Sequence, residues 1–205
     1  MMSWRGIAGG IAAAKQHHDV TMTPSNFMYF DYYQGEPYNE PVAIGGLLTL
    51  EKVYSYEPVP AELTADEAVY IKGVQANVWS EFIHSAEKVE YMTLPRAAAM
   101  AEVAWTPARL KNWEGFKDRM ETQYQRYDAM GINYSKSAYN VWQTVKTDAA
   151  TKQATITLTT NSARPEIHYT TDSTEPTLTS PVYKAPFRHV RRPSSNRLLL
   201  RMVSR

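Results

Sequence analysis

The 205-residue sequence contains no cysteine and no apolar run near the roughly 18 residues that a membrane span requires. The absence of cysteine excludes disulfides and thiolate metal sites, so the redox compartment stays open. We also expect no membrane span and no signal peptide, because the first six residues lack a basic stretch followed by an apolar one. The hydrophobic content of 43% and aromatic content of 12% are typical of a globular protein.

Acidic residues are absent from residues 188–205, which hold six of the twelve arginines. Residues 1–187 carry 16 Lys and Arg against 21 Asp and Glu, a net charge of −5. We therefore expect no nucleic-acid partner. The basic end favours a solvated tail, because no aromatic residues are interleaved with its arginines. Its pattern predicts neither a strand nor an amphipathic helix, which leaves open a genuine tail and a frameshifted or recombined end.

The five histidines show no metal-ligand spacing, so we expect packed or exposed histidines, no metal site and no cofactor. They are His17, His18, His84, His168 and His189.

The order of predicted elements in residues 1–136 indicates an α/β fold with a parallel sheet. Three strands are expected: residues 1–5, a strand over residues 19–23 and 26–33 that runs into a loop, and residues 71–79. Helices are expected in residues 7–18, from after the last strand to Trp105, and in residues 112–130. The last helix carries an apolar stripe at helical spacing, which consists of Trp113, Phe116, Met120, Tyr124 and Tyr127. Residues 35–60 form a long connection rich in Pro and Gly, and a structureless connection of that length is usually functional.

Composition changes after about Ser137, where residues that alternate between apolar and polar begin. Alternation in residues 154–159 and 166–170, with turn-forming residues between the strands, predicts a small antiparallel β domain over residues 137–187.

Trp79 and Glu81 lie two residues apart, so an extended strand directs both side chains to one face. An indole offers an apolar platform to a sugar, and a carboxylate accepts hydrogen bonds from sugar hydroxyls. The alternative is that Trp79 lies in the core and Glu81 is a surface acid, and spacing alone favours this alternative.

Tyr29 and Asp31 repeat that spacing, and a Tyr hydroxyl can donate to a carbonyl oxygen such as that of an N-acetyl group. The alternative is an aromatic strand with an exposed Asp, which the neighbouring Tyr32 and Tyr33 favour. For Trp4, at the end of the first strand, the same two interpretations stay open: a sugar-binding residue and a packing residue.

Three motifs together resemble the last three barrel strands of glycoside hydrolase family 20, the β-N-acetylhexosaminidases. They are Ser3-Trp4-Arg5-Gly6, Tyr29-Phe30-Asp31, and Trp79-Ser80-Glu81 with the helical segments that follow it. The resemblance runs from about Ser3 to Trp113. It implies that residues 1–136 are the C-terminal part of a (β/α)8 TIM barrel, with the rest of the enzyme upstream of Met1. Residues 167–183 resemble the small β domain often found after such barrels.

The resemblance also implies roles for the candidate residues and a glycan substrate with a terminal N-acetylglucosamine or N-acetylgalactosamine. Tyr29 would hold the acetamido carbonyl and Asp31 a hydroxyl, O6. Trp79 would wall the acetamide pocket, Glu81 would hold O4 and O6, and Trp4 would line the sugar subsite. Hydrolysis in such enzymes proceeds with retention, with the substrate's own acetamido oxygen as the nucleophile.

The family's catalytic Asp-Glu pair, which follows barrel strand four, has no counterpart in this chain. Asp66-Glu67 stands before the last strand, where Glu67 and Thr64 form a predicted capping box. We therefore expect that this chain holds substrate but is inactive alone. Arg96 and Glu102 are expected to be structural, tying the last helix to the barrel.

Two other classes of function stay open: a non-catalytic carbohydrate-binding module, and a truncated product without a function of its own. The resemblance further implies a parent enzyme that is periplasmic, secreted or lysosomal. It leaves oligomeric state undetermined.

Overall fold

The computed structural model describes residues 1–148, 151, 153–172, 174–190 and 201–204. The chain divides into two compact units, Met1–Ser137 and Ala138–Arg205.

The first unit is built on a parallel three-stranded sheet. Its strands β1, β2 and β3 are Met2–Ser3, Val20–Met22 and Ile71–Val74, in the order β1-β2-β3. Met2 pairs with Thr21 and Val20 pairs with Ile71. Val20 and Met22 are buried, as expected for apolar residues that share one face of a central strand. Because the strands are parallel, their carboxyl ends meet at one edge of the sheet.

Seven helices accompany this sheet among the residues that the structure describes. From α1 to α7 they are Ala8–Lys15, Ser25–Met28, Leu50–Tyr54, Ala65–Ala68, Ala86–Thr93, Arg96–Trp105 and Trp113–Ala129. The predicted α/β class is therefore confirmed for this unit.

Helix α7 follows the sequence prediction closely. Four of its predicted stripe residues are buried: Phe116, Met120, Tyr124 and Tyr127. Trp113, the fifth, is half-buried and its ring lies 5.3 Å from that of Tyr54. The Asn112 side chain accepts a hydrogen bond from the Gly115 N–H at 3.0 Å, which caps the helix start.

The strand predicted over residues 19–23 and 26–33 is shorter in the structure and ends at Met22, the last residue of β2. The N–H groups of Phe27 and Met28 both donate to the Pro24 carbonyl, so the chain makes the helical turn α2 before it pairs again. The strand predicted over residues 71–79 is likewise shorter: β3 ends at Val74, and one isolated parallel bridge joins Tyr29 to Asn77.

The connection over residues 35–60 is not structureless. It contains a 3-10 helix at Pro37–Asn39, the helix α3, and a bridge between Tyr33 and Leu47. The predicted capping box is present at the start of α4: the Thr64 hydroxyl accepts from the Glu67 N–H, and the Glu67 carboxylate accepts from the Thr64 N–H.

The second unit contains antiparallel strands. They are β4 Val141–Asp148, β5 Gln153–Thr160, β6 Ile167–Thr170, β7 Phe187–Val190 and β8 Arg201–Ser204. β5 pairs with both β4 and β7, and β6 pairs with β8. Burial alternates along β5, and Ile156, Leu158 and Ile167 form a core on which Tyr169 and Phe187 pack.

The expectation that no strand follows Phe187 is wrong for two segments of the basic end. Residues 187–190 pair with residues 153–156, and residues 201–204 pair with residues 167–170. Neighbouring backbones supply these hydrogen bonds, so the local pattern of basic residues did not reveal the strands. Residues 191–200 lie outside the described part of the chain.

Among the described residues, no helix is long and apolar enough to cross a membrane.

Candidate functional site

The predicted site residues all lie at or beyond the carboxyl ends of the parallel strands. Trp4 directly follows β1, Tyr29 and Asp31 follow α2 after β2, and Trp79 and Glu81 follow β3. Parallel α/β sheets bind ligands at this edge, because the loops that leave the strands there are free to converge.

Asn77 aligns the segment that carries Tyr29 with the segment that carries Trp79 at this edge of the sheet. Its N–H donates to the Met28 carbonyl at 2.8 Å, and its carbonyl accepts from the Phe30 N–H at 2.7 Å. Its buried side-chain amide donates to the Thr23 hydroxyl at 3.1 Å. The sequence pattern did not single out Asn77, although a polar residue two positions before Trp79 in the predicted strand was a usable signal.

Tyr29 and Trp79 are in contact. Their ring centroids lie 6.1 Å apart at 63°, an edge-to-face arrangement, and Tyr29 makes a similar contact with Tyr32 at 5.8 Å. Trp79 is 49% exposed, which contradicts the alternative that it is a core residue. The indole therefore contacts Tyr29 on one side and is exposed to solvent on another. Glu81 is exposed, which agrees with the other part of that alternative, a surface acid.

Asp31 is buried, with 4% of its surface exposed, which contradicts the alternative of an exposed Asp. Burial raises the pKa of its carboxyl and nearby Glu81 raises it further, while backbone hydrogen bonds of Asp31 and Trp79 and the charge of Arg96 lower it. One carboxylate oxygen, Oδ1, has no hydrogen-bond partner among the residues that the structure describes. Asp31 therefore presents a buried acceptor that the protein does not satisfy.

The structure brings Tyr29, Asp31, Trp79 and Glu81 together, but it does not bring Trp4 into contact with them. Trp4 is 46% exposed, and the Arg5 guanidinium lies 4.6 Å from its ring centroid. In the described part of the chain, no ring contact joins Trp4 to Tyr29 or Trp79. The Trp4 carbonyl accepts from the Ser25 N–H at 2.9 Å, so Trp4 is tied to the start of α2.

The connection over residues 35–60 is anchored on α5, close to the site. The Glu40 carboxylate accepts from the Tyr91 hydroxyl at 2.7 Å and from the Ser137 hydroxyl. Lys88 donates to the Val42 carbonyl at 2.9 Å. This anchoring places Gly45 against the ring of Tyr32, which in turn contacts Tyr29.

Gly45→Ala is expected to destabilise the first unit and to displace Tyr32. Gly45 has φ +78°, and a Cβ there would lie 2.3 Å from a Tyr32 ring atom. The matched control is Gly131→Ala, which has φ +67° but no neighbour within 4 Å. In denaturant titrations we expect Gly45→Ala to lose about 1–3 kcal/mol more than the control, because only Gly45 adds a steric clash to the backbone strain. Equal losses would contradict this packing.

Glu102 ties α6 to its neighbours, as predicted. Its carboxylate accepts from the Tyr54 hydroxyl at 2.8 Å and from the Arg119 guanidinium at 2.5 Å. Arg96, at the start of α6, is fully buried and donates to backbone carbonyls of three other segments.

Within the described residues, no group of three or more His, Asp or Glu could hold a metal ion. His17 stacks on Tyr70, with ring centroids 5.0 Å apart. His168 is buried in the second unit, where its ring nitrogens lie 2.9 Å from the Ser180 carbonyl and from Glu166.

Comparison with known families gives two matches. Residues 1–108 match the family described as "Glycosyl hydrolase family 20, catalytic domain". Residues 156–189 match the family described as "Fn3 associated".

Curated relatives agree with the first match. A "Beta-hexosaminidase" of Porphyromonas gingivalis is 47% identical over 189 residues, which cover 91% of this chain and 24% of the relative. A "Beta-N-acetylhexosaminidase" of Cellulomonas fimi is 30% identical over 64% of this chain and 26% of the relative. The chain thus spans about a quarter of the length of these relatives.

Solved structures show the same similarity. An exo-β-N-acetylglucosaminidase of Vibrio harveyi in complex with N-acetylglucosamine aligns with a TM-score of 0.59 and 33% identity, over 66% of this chain and 21% of that one. A β-N-acetylhexosaminidase of Streptomyces coelicolor aligns with a TM-score of 0.58 and 26% identity, over 66% of this chain and 29% of that one.

Proposed function

The chain belongs to glycosyl hydrolase family 20, and from that membership we propose that it forms the substrate-holding part of a β-N-acetylhexosaminidase. The activity is hydrolysis of a terminal N-acetylglucosamine or N-acetylgalactosamine with retention of anomeric configuration. It is proposed for a protein that includes these 205 residues together with a catalytic carboxylate pair. Relatives named as β-hexosaminidases, of which the chain spans about a quarter, support this substrate class.

In this proposal residues 1–136 are the C-terminal portion of a (β/α)8 barrel, and β1, β2 and β3 are its last three strands. The parallel order β1-β2-β3 and the likeness to barrel enzymes of this family support that assignment. Residues 137–187 form a small β domain, and residues 188–190 and 201–204 of the basic end extend its strand pairing instead of forming a separate tail.

The unsatisfied Oδ1 of Asp31 is the observation that carries the proposal. A buried carboxylate oxygen without a partner costs free energy unless a ligand supplies a donor. A sugar hydroxyl is such a donor, and the exposed indole of Trp79 offers an apolar face for the sugar ring beside it. A carboxylate acceptor next to an aromatic platform is the combination of groups that recognises a hexose.

The remaining residues take complementary roles around the same sugar. The Tyr29 hydroxyl donates to the acetamido carbonyl, and the Trp79 indole walls the acetamide pocket. Asp31 accepts from the O6 hydroxyl and Glu81 from O4 and O6, while Trp4 lines the subsite from the end of β1. The contact between Tyr29 and Trp79 supports a shared acetamide pocket, because both rings lie at one edge of the sheet.

The proposed reaction uses the substrate's acetamido oxygen as nucleophile. It attacks the anomeric carbon as the leaving oxygen takes a proton from a Glu acid, and an oxazolinium intermediate forms. Water, deprotonated by the same Glu, then opens that intermediate, so the two inversions give net retention. A neighbouring Asp orients the acetamido group through both steps.

The one adjacent Asp-Glu pair in the sequence, Asp66-Glu67, does not fit this acid–base role. It lies in α4, just before β3, and therefore at the amino end of the strand. The backbone hydrogen bond with Thr64 is the main cause that lowers the pKa of Glu67, which opposes the protonated form that a general acid needs. We therefore propose that the 205 residues hold the sugar and that other residues cleave it.

Calorimetric titration with N-acetylglucosamine tests the proposed function. Trp79→Ala is expected to weaken binding about 3- to 10-fold, because it removes the aromatic face while leaving the carboxylates in place. The matched control is Trp105→Ala: Trp105 is 88% exposed at the end of α6, and its loss leaves affinity unchanged. No binding by the unsubstituted chain, or equal losses in both variants, would refute the assignment.

A further inference from the structure

Arg96 is the first residue of α6, and the chain buries its side chain completely. The guanidinium donates four hydrogen bonds to backbone carbonyls: Nη1 to Tyr32 and Leu48, both at 3.1 Å, and Nη2 to Phe30 and Met92, both at 2.5 Å. A buried charge costs free energy unless its donors find acceptors, and here backbone oxygens satisfy both Nη1 and Nη2. The Nε donor has no hydrogen-bond partner among the described residues.

Two of the four acceptors belong to the residues on either side of Asp31. Phe30 and Tyr32 therefore have their carbonyls fixed by one rigid group, and the guanidinium also lies 4.9 Å from the Phe30 ring centroid. The Phe30 carbonyl belongs to the peptide group that precedes Asp31, and the Tyr32 carbonyl belongs to the peptide group that follows Tyr32. The two hydrogen bonds therefore restrict the backbone on both sides of Asp31 and, through Phe30, that of Tyr29. The other two acceptors connect this segment to the connection over residues 35–60 and to α5.

The charge of Arg96 acts on the same segment. Burial lowers the pKa of Arg96 to about 9, against the opposing effects of Glu40, Asp31 and Tyr91, so the side chain is cationic at neutral pH. Its charge lowers the pKa of Asp31, in opposition to burial and to Glu81. Arg96 thus favours the ionised form of Asp31, the form that accepts from a hydroxyl.

We propose that Arg96 is a positioning residue for sugar binding: it holds the Tyr29–Tyr32 backbone so that Tyr29 and Asp31 face the substrate. This proposal rests on the proposed function above. A lysine cannot replace it, because one ammonium group cannot reach four carbonyls in the directions that the planar guanidinium serves. Arg96 touches no substrate in this arrangement, and its effect passes through the backbone and the charge at Asp31.

The experiment compares Arg96→Lys, which keeps the charge, with Arg96→Gln, which removes it. Arg119→Lys is the matched control, because Arg119 is an exposed arginine that bonds Glu102 outside the site. Two quantities are measured: affinity for N-acetylglucosamine by calorimetry, and the titration of the Asp31 carboxyl by ¹³C NMR, assigned with Asp31→Asn.

We expect Arg96→Lys to bind the sugar about tenfold more weakly, since it loses most of the hydrogen bonds to the flanking carbonyls, with little change in the Asp31 titration. Arg96→Gln weakens binding at least as much and also moves the Asp31 titration to higher pH. The control changes neither quantity. A merely structural arginine would lower stability without moving the Asp31 titration.

A folded Arg96→Lys that binds the sugar like the unsubstituted chain overturns the proposal, even when Arg96→Gln fails to fold. An Asp31 titration that is the same in Arg96→Gln as in the unsubstituted chain overturns its electrostatic part. If the unsubstituted chain does not bind N-acetylglucosamine, the proposed function fails instead. The Asp31 titration and the Tyr29–Trp79 ring contact, both measured by NMR in the unsubstituted chain and the Arg96 variants, then still decide whether Arg96 positions this segment.

Discussion

Purified as a 205-residue chain, the protein is expected to release no aryl alcohol from an aryl β-N-acetylglucosaminide above the uncatalysed rate. The leaving oxygen needs a proton from a positioned acid, and loss of such an acid typically costs a factor of about 10² to 10⁴. The one adjacent Asp-Glu pair in the sequence is engaged in a helix cap at the opposite end of β3. We propose that these residues hold the sugar, and none of them is assigned to protonate its leaving oxygen.

The two carboxylates at the site, Asp31 and Glu81, are the groups whose acid–base activity would contradict this prediction. Asp31 has a raised pKa and Glu81 lies near enough to contribute to it, which is a pattern that two-carboxylate glycosidases also use. We assign both to hydroxyl binding, because the Asp31 carboxylate already interacts with backbone N–H groups of Asp31 and Trp79. These contacts direct it toward holding a ligand rather than exchanging protons.

The assay follows aryl alcohol release over substrate concentration and pH, with Asp31→Asn and Glu81→Gln as matched variants. No saturable release is expected from the unsubstituted chain or from either variant. Saturable release that either variant abolishes would overturn the binding-only assignment and would make the Asp31 and Glu81 pair an acid–base system.

Local features of this fold could be predicted from sequence, while long-range contacts could not. The α7 stripe and the Thr64–Glu67 capping box depend on residues three or four positions apart, and both are present as predicted. The strand predicted over residues 19–23 and 26–33 stops at Met22, because the Pro24 carbonyl accepts two hydrogen bonds that start a helical turn. The prediction of no strand in the basic end failed, because the partners of those strands are β5 and β6, which lie earlier in the chain.

For the candidate site, too, local features could be predicted from the sequence and long-range contacts could not. Spacing alone placed Tyr29 with Asp31 and Trp79 with Glu81, and the structure brings the two pairs together. Spacing did not reveal Asn77, which joins the two segments through backbone and side-chain hydrogen bonds. Spacing also did not reveal that the acceptors of Arg96 include residues as distant along the chain as Phe30 and Leu48. The proposed binding residues lie close together in sequence within each pair, whereas the residues that hold the pairs in place bond to distant parts of the chain.

Asp31→Asn is expected to abolish most sugar binding while it stabilises the fold at neutral pH. Asn keeps the shape and one acceptor oxygen of Asp but removes the charge that burial disfavours. A hydrogen bond to a charged group is worth about 1.5–3 kcal/mol, so affinity for N-acetylglucosamine falls about 10- to 100-fold.

The sign of the stability change follows from the raised pKa of Asp31. Below the unfolded-state pKa, close to 3.8, both states are protonated and the group has no effect. As pH rises, the unfolded state loses its proton first, so stability falls until pH passes the higher folded-state pKa. Above that pKa the full cost of the buried charge is present, and Asp31→Asn removes it.

Denaturant titrations near pH 4 and near pH 7 check this sign. The stability gain of Asp31→Asn over the unsubstituted chain should be small at the lower pH and larger at the higher one. Asp118→Asn, on the exposed side of α7, is the control and should show no such growth. If Asp31→Asn is instead less stable near pH 7, the carboxylate is a structural anchor for the Trp79 backbone. A gain in stability together with a loss of sugar binding would mean that the fold bears a buried charge whose benefit appears only with the ligand present.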